Sequence, residues 1–287
     1  MSLWMSLPRY FVPEAAHEAR RDDGDGLACL VYAAHGRPYG DDSSPVSVPT
    51  MTEAIEDIAG PLATMASSDA GGPRHVRTLF DCRSGSQHEG PAPTYVLADR
   101  CGLVRASPIA LGQRGGAEVP AAVFLMSLDD AIELPAVVCA SQNILWPDSR
   151  SRLEGGILGD AAAAVAVGAT RQSVSAAFRV IGVALGSEPA HSASTLTVSA
   201  LLNAGIGLSD LRWFITAPVG TPVSILSSAD ILEIRRQVWT REDFGSAELL
   251  LSLSTSLRAG MLPKGPGALV HRGWFGALGI VLLEAMS

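Results

Sequence analysis

Lysine is almost absent from these 287 residues, and the basic residues present are scattered arginines. At a formal net charge of −8 there is no basic stripe to neutralise phosphates, which argues against a nucleic-acid partner. No apolar run is long enough to cross a bilayer. The N-terminus lacks the basic start and long apolar core of a signal peptide, so no membrane association and a cytoplasmic location are expected. Cysteine is sparse: Cys29, Cys82, Cys101 and Cys139 show neither metal-ligand spacing nor a disulfide framework, so reduced thiols and no metal are expected.

What the chain has in abundance is small and apolar. Alanine and glycine are common, hydrophobic residues make up 47%, and the mean hydropathy is +0.25, which places the chain among globular proteins. The length suits one large domain or two fused halves. Apolar runs bounded by Gly, Pro, Ser and Asp predict strands over 3–12, 27–34, 75–82, 108–111, 134–141, 178–186, 211–216, 268–271 and 276–285. Helices are predicted over 50–65, with Thr50 and Glu53 as a capping box, and from 117 to about 132. Further helices are predicted over 195–203, 227–238 and 247–257, residues 95–104 are ambiguous with a helical reading open, and 240–245 is read as a turn.

The most suggestive local feature is the corner between the strand at 108–111 and the helix after it. Many α/β enzymes seat a nucleophile at such a turn, where the helix N-terminus favours developing negative charge. Here the corner holds Gly112, Gln113, Arg114, Gly115 and Gly116, with no Ser or Cys. The alternative is an ordinary tight strand-to-helix turn.

Self-similarity between the halves carries more information. Ala117-Glu118 opens a helix that leads by a short link to the strand at 136–141; Ala247-Glu248 does the same for the strand at 268–273, about 130 residues later. Each strand is followed by a glycine-led run of small and aliphatic residues, 158–168 and 275–283. Two copies of helix, buried strand and glycine-led strand imply stacked α/β halves, 1–170 and 171–287, related by a pseudo-twofold. Small residues let central helices and sheets approach closely.

With that repeat in view, the chain resembles the ketoacyl-acyl-carrier-protein synthase III family of the thiolase superfamily. The residues that carry the likeness are Val138 to Asn143 with Pro147 and Asp148, then Gly159, Asp160 and Ala161 to Val165. They are joined by the strand from Leu211 to Ala217 and the closing hairpin from Gly273 to Leu282. The likeness covers the chain from about residue 50 onward, by an ordered series of elements rather than one signature. It implies an α/β fold of five layers, αβαβα, built from two pseudo-symmetric halves, and a dimer that continues the central sheet across a twofold. It also implies ping-pong acyl transfer: a Cys at the head of the central helix takes an acyl group from coenzyme A or a carrier protein, assisted by a His and an Asn.

Carried over position by position, the resemblance places the nucleophile at Gly115 or Gly116, the His at Ala217 ahead of Pro218, and the Asn at Asp243. Glycine forms no acyl-enzyme. Cys139 reads as a buried structural thiol, while Cys82 and Cys101 have nothing nearby in sequence to activate them. His191 and Asp243 remain as weak catalytic candidates. His271 reads as structural, Asp160 as a cap of backbone donors, and His35, Arg37 and Tyr39 as part of a solvated loop. Arg114 would plug the corner or face solvent, and Arg235 and Arg236 would meet an acidic carrier protein or solvent. The expectation is a non-catalytic subunit paired with an active, Cys-bearing ketosynthase in polyketide or fatty-acid-like metabolism. No cofactor would be tightly bound, and coenzyme A or phosphopantetheine thioesters would be the substrates handled. The rival is an acyltransferase or condensing enzyme that works without a cysteine; a third reading is a small-molecule binding module reusing the acyl pocket.

Overall fold

A computed structural model of the chain describes residues 3–5, 27–30, 59–84, 93–112, 117–128, 132–142, 157–158, 161–169, 178–188, 190–217, 231–233, 242–273 and 276–285. The strands are β1 (Leu3–Met5), β2 (Leu27–Leu30), β3 (Thr78–Ser84), β4 (Ser107–Gly112), β5 (Ala136–Gln142), β6 (Ile157–Leu158) and β7 (Ala161–Ala169). They continue as β8 (Phe178–Ser187), β9 (Trp213–Ala217), β10 (Leu232–Glu233), β11 (Glu242–Asp243), β12 (Pro266–Arg272) and β13 (Ala277–Ala285). The helices are α1 (Gly60–Asp69), α2 (Pro93–Arg100), α3 (Glu118–Ser127), α4 (Ala193–Asn203) and α5 (Glu248–Arg258).

Eleven strands form one sheet in the order β1-β4-β3-β5-β7-β2-β8-β13-β12-β9-β10. From β4 inward, three parallel strands are followed by two antiparallel ones, β7 and β2. From β10 inward the pattern repeats: β10, β9 and β12 are parallel, β13 and β8 antiparallel. The two runs meet where β2 pairs with β8. This order is the pseudo-symmetry that the repeated helix-strand units imply.

Strand alternation sorts the side chains into layers. On β3, Phe80 and Cys82 enter the central core while Leu79 enters an outer one; on β9, Trp213, Ile215 and Ala217 face the centre and Phe214 faces out. Helix α3 contacts β3, β4 and β5 of one run and β8 and β13 of the other, and α5 contacts β7 as well as β9 and β12. Both helices therefore lie between the two half-sheets. Helices α1 and α2 cover the outer face of the first run, and α4 that of the second. The result is five layers, αβαβα.

Burial on all sides explains why α3 has so little polar surface: Glu118 to Phe124 and Met126 are all buried. The approach to the sheet is close enough to need glycine. A Cβ placed on Gly279 of β13 would stand 2.5 Å from Cβ of Pro120 on α3. Likewise Gly267 of β12 lies under Trp213, whose Cε2 would meet a Cβ at 2.0 Å.

Several boundaries differ from the sequence reading. Helix α1 continues to Asp69 rather than ending near Met65, and its expected start with Thr50 and Glu53 lies outside the described residues. Helix α3 stops at Ser127, where the Ser127 hydroxyl donates back to Phe124 O at 2.7 Å and Leu128 turns to an extended conformation. The ambiguous segment becomes α2. Within the span 227–238, read as a helix, Leu232 and Glu233 form a strand beside β9: pairing with a sheet edge overrides a helical apolar spacing. In the expected turn at 240–245, β11 pairs in parallel with β6.

Candidate functional site

The two central helices bring their N-termini together. Helix α3 starts at Glu118, with no side-chain cap from Ala117; α5 starts at Glu248, after a 3₁₀ turn, Gly245–Ala247, in which Gly245 takes φ 50°. An acid in the first turn of a helix is favoured by the unpaired N–H groups there. Both carboxylates are withdrawn from solvent: Glu118 is 6% exposed and Glu248 0%. Ser246, also fully buried, donates its hydroxyl to Glu118 Oε2 at 3.0 Å, and the Phe244 N–H donates to Glu248 Oε2 at 3.2 Å. The 3₁₀ turn of one half thus sits against β3 and β5 of the other and ties the two helix heads together. A hydrogen bond to a buried charged group contributes about 1.5–3 kcal/mol.

Beneath this junction lies Cys82, on the central face of β3, its Sγ donating to Glu118 O at 3.5 Å. Burial pushes its thiol well above the ordinary value, and the carboxylates of Glu118 and Asp81 add to the shift. Cys139 faces the outer core instead, donates to Ala59 O at 3.7 Å, and is likewise raised by burial and then by Asp81. Cys101 donates to Gly60 O at 3.5 Å and is raised by burial, against a smaller opposing hydrogen bond from Thr64. All three keep their protons near neutral pH, the reverse of what a nucleophilic thiolate requires.

Gly115, Gly116 and Arg114 lie outside the described residues, as do Asp160, Arg235, Arg236, His35, Arg37 and Tyr39. Ala217 ends β9 fully buried, in register with His271 of β12. The methyl at Ala217 therefore has an imidazole on the adjacent strand: Leu269 on β12 faces the central core, and two residues on His271 occupies the same face, 1% exposed. Asp243 is the last residue of β11, paired with Leu158 of β6, so the stretch entering α5 is joined to the one entering β7. His191 stands apart, after β8, where its backbone N–H bonds Ser187 O at 3.1 Å and its Nδ1 is enclosed without a partner. Among the described residues no group of three or more His, Cys, Asp and Glu is placed to hold a metal.

Sequence reasoning missed Glu118, Ser246 and Glu248 as members of one cluster. The signal was present in the duplicated Ala-Glu pair at 117–118 and 247–248, which marked helix starts without revealing that the starts touch.

The layer order, the repeated strand pattern and the convergence of two central helix heads define a thiolase-like fold. No family model matches the chain, and no curated protein matches it significantly. Solved structures do. The 3-oxoacyl-(acyl carrier protein) synthase III of Pseudomonas aeruginosa superposes with a TM-score of 0.61 at 17% identity, covering 91% of this chain and 97% of that one. ChlB3, described as an acyltransferase, gives 0.65 at 17% identity, with 91% and 98% covered. AbyA1, a tetronic acid condensing enzyme, gives 0.64 at 16% identity, with 90% and 100% covered. At these identities the likeness is one of fold. No described helix is long and apolar enough to cross a membrane.

Proposed function

We propose that the chain is a non-catalytic subunit with a ketosynthase III-like scaffold, which pairs with an active, Cys-bearing thiolase-fold enzyme acting on coenzyme A or carrier-protein thioesters. The observation that carries this reading is the glycine pair, Gly115 and Gly116, immediately ahead of the buried head of α3, where the resembling family has its thiol. Two features support it. The three described thiols with raised pKa are held as protonated donors to backbone carbonyls, and the position of the family's imidazole is the methyl of Ala217. The chain would contribute fold, tunnel wall or carrier-protein surface to its partner, in polyketide or fatty-acid-like biosynthesis.

Co-expression with a Cys-bearing ketosynthase III-like enzyme from the same organism is the test, read by mass of the purified species. A 1:1 complex is expected. Incubation of the isolated chain with acyl-coenzyme A should leave its intact mass unchanged and release no coenzyme A. A homodimer indifferent to the ketosynthase would count against the proposal.

A second reading is favoured by His191, whose enclosed Nδ1 lacks a partner. In it the chain transfers acyl groups directly between bound thioesters, with His191 or Asp243 as base. Turnover by the isolated chain that disappears in Asp243→Ala or His191→Gln would establish this reading in place of the first.

A further inference from the structure

An outer helix normally carries charge on its solvent side, and α4 carries none. Its inner side, with Ala193, Leu196, Thr197, Ala200 and Leu201, is buried against β8, β13 and β12. On the other side Thr195, Leu202 and Asn203 are exposed, Leu202 by 71%, and Val198 and Ser199 are half-buried. No Asp, Glu, Lys or Arg occurs from residue 189 to 209, although 17% of the chain is charged. In the outer layer of the other half, α2 presents Asp99 and Arg100 to solvent in the ordinary way. The polar groups at the head of α4 are already bonded within it. Ser192 Oγ accepts the Thr195 N–H at 3.0 Å, the two hydroxyls lie 2.8 Å apart, and Thr197 donates to Ala193 O at 2.7 Å. Covering this face therefore costs little in stranded donors.

Charge decides between the occupants. At a net charge of −8 two copies of the chain repel wherever their acids meet. A face that meets its own image about a twofold sets like charges close together, and a neutral face avoids this. The same neutrality gives an unlike partner nothing to recognise by charge. The stripe is also complementary to itself in shape. Thr195, Val198, Ser199 and Leu202 follow at helical spacings of three, one and three, with the short side chain at the amino end and the protruding one at the carboxyl end. Run antiparallel about an axis between Val198 and Ser199, two such helices set each Leu202 against Thr195 of the other copy. A helix about 16 Å long and about 10–12 Å across falls short of the roughly 800 Å² per partner of a stable complex, so the contact is a reversible one.

We propose that α4 is a self-association surface, through which two copies of the chain pair reversibly, helix against antiparallel helix, with Leu202 of each packed on Thr195 and Ser199 of the other. This contact is made by a helix face, and so differs from the continuation of the sheet across a twofold that the family resemblance implies. Helix α4 belongs to the outermost layer of the second half, so a pair joined there leaves the first half free to meet an active ketosynthase in equal numbers. The surface goes beyond the proposed function and does not depend on it.

The test is sedimentation velocity of the whole chain alone, across about 10 μM to 1 mM, the range of a weak contact. A monomer–dimer equilibrium is expected, and it should strengthen as salt rises from about 0.02 to 0.5 M, because screening removes the repulsion between copies while the neutral contact is unaffected. Leu202→Lys should weaken the dimer by about tenfold or more, since an unpaired ammonium would have to leave water. That substitution lowers the net charge, so the loss cannot come from added repulsion, and a cation in the last turn suits the helix. Thr195→Glu, an acid in the first turn, should act in the same way. The double variant Thr195→Glu/Leu202→Lys brings opposite charges together across the twofold and should associate again, now more weakly as salt rises. A dimer that ignores Leu202→Lys, or a double variant no better than Leu202→Lys alone, overturns the proposal. So does a chain that stays monomeric throughout, including one whose α4 becomes protected from hydrogen exchange only when a ketosynthase is added, which would assign the face to that partner. No ketosynthase or thioester is needed for the dimer, so its absence leaves the proposed function standing.

Discussion

Three buried thiols show how this fold treats sulfur. Cys82, Cys101 and Cys139 each give their hydrogen to a backbone carbonyl, and each is raised above the ordinary value of 9.0, with burial as the first cause. Unfolding exposes them, so their pKa values fall back toward that value. Between it and the higher folded values, the unfolded chain loses protons that the folded chain keeps. Stability is therefore unaffected by these groups below about pH 8 and declines as pH rises through 9, with a slope approaching about 1.4 kcal/mol per pH unit for each such thiol. Urea melts at pH 8, 9 and 10 should show the decline, and Cys82→Ala should make it shallower. An equally steep decline in Cys82→Ala would mean that its thiol is not shifted. Whether these cysteines were inert was legible for Cys139, in an unbroken apolar run. For Cys82 the sequence offered only the lack of an activating neighbour; the burial that raises it most, and the Glu118 carboxylate that adds to the adjacent Asp81, come from tertiary packing.

At the scale of elements, composition and contact agree. The small residues of the glycine-led segments were readable as a sign of close layers, and Gly279 shows the reason, since α3 presses Pro120 onto β13 there. Replacing Gly279 with Ala would require helix and strand to separate, for which an overpacked core typically costs about 1–3 kcal/mol. The expected result for Gly279→Ala is a lowered denaturant midpoint with an unchanged slope. Gly168, on the corresponding hairpin strand β7, has nothing within 4 Å of its would-be Cβ, so Gly168→Ala serves as the control and should be close to neutral. Equal losses at both positions would remove the helix-strand contact as the cause. What sequence periodicity could not resolve was the fate of short edge segments: Leu232 and Glu233 have a helical apolar spacing around them, yet a free edge of β9 decides their conformation.

For the whole molecule the question is whether two similar halves behave as two bodies. Their sheets meet edge to edge through a short seam, where β2 pairs Ala28 with Arg179 and Cys29 with Phe178. Face to face they share much more. The central core draws Phe80, Val138 and Val165 from one run and Trp213, Leu269 and Val281 from the other around α3 and α5, and Ser246 of the second half holds Glu118 of the first. Neither half-sheet can bury its inner face without these two helices, one of which comes from each half. Duplication was visible in the ordered helix-strand units, but this interdependence was not, because an apolar helix reads the same whether it packs on its own sheet or between two. Calorimetry should therefore show one cooperative transition with calorimetric and van't Hoff enthalpies in agreement, as for a single domain. The helix-head bond gives the sharper check. In Ser246→Ala the loss of a hydroxyl bonded to a buried carboxylate should lower that single transition as a whole, with both halves melting together. Two resolved transitions, with only the later one displaced by Ser246→Ala, would show instead that the halves fold independently and that their shared core is only a docking surface.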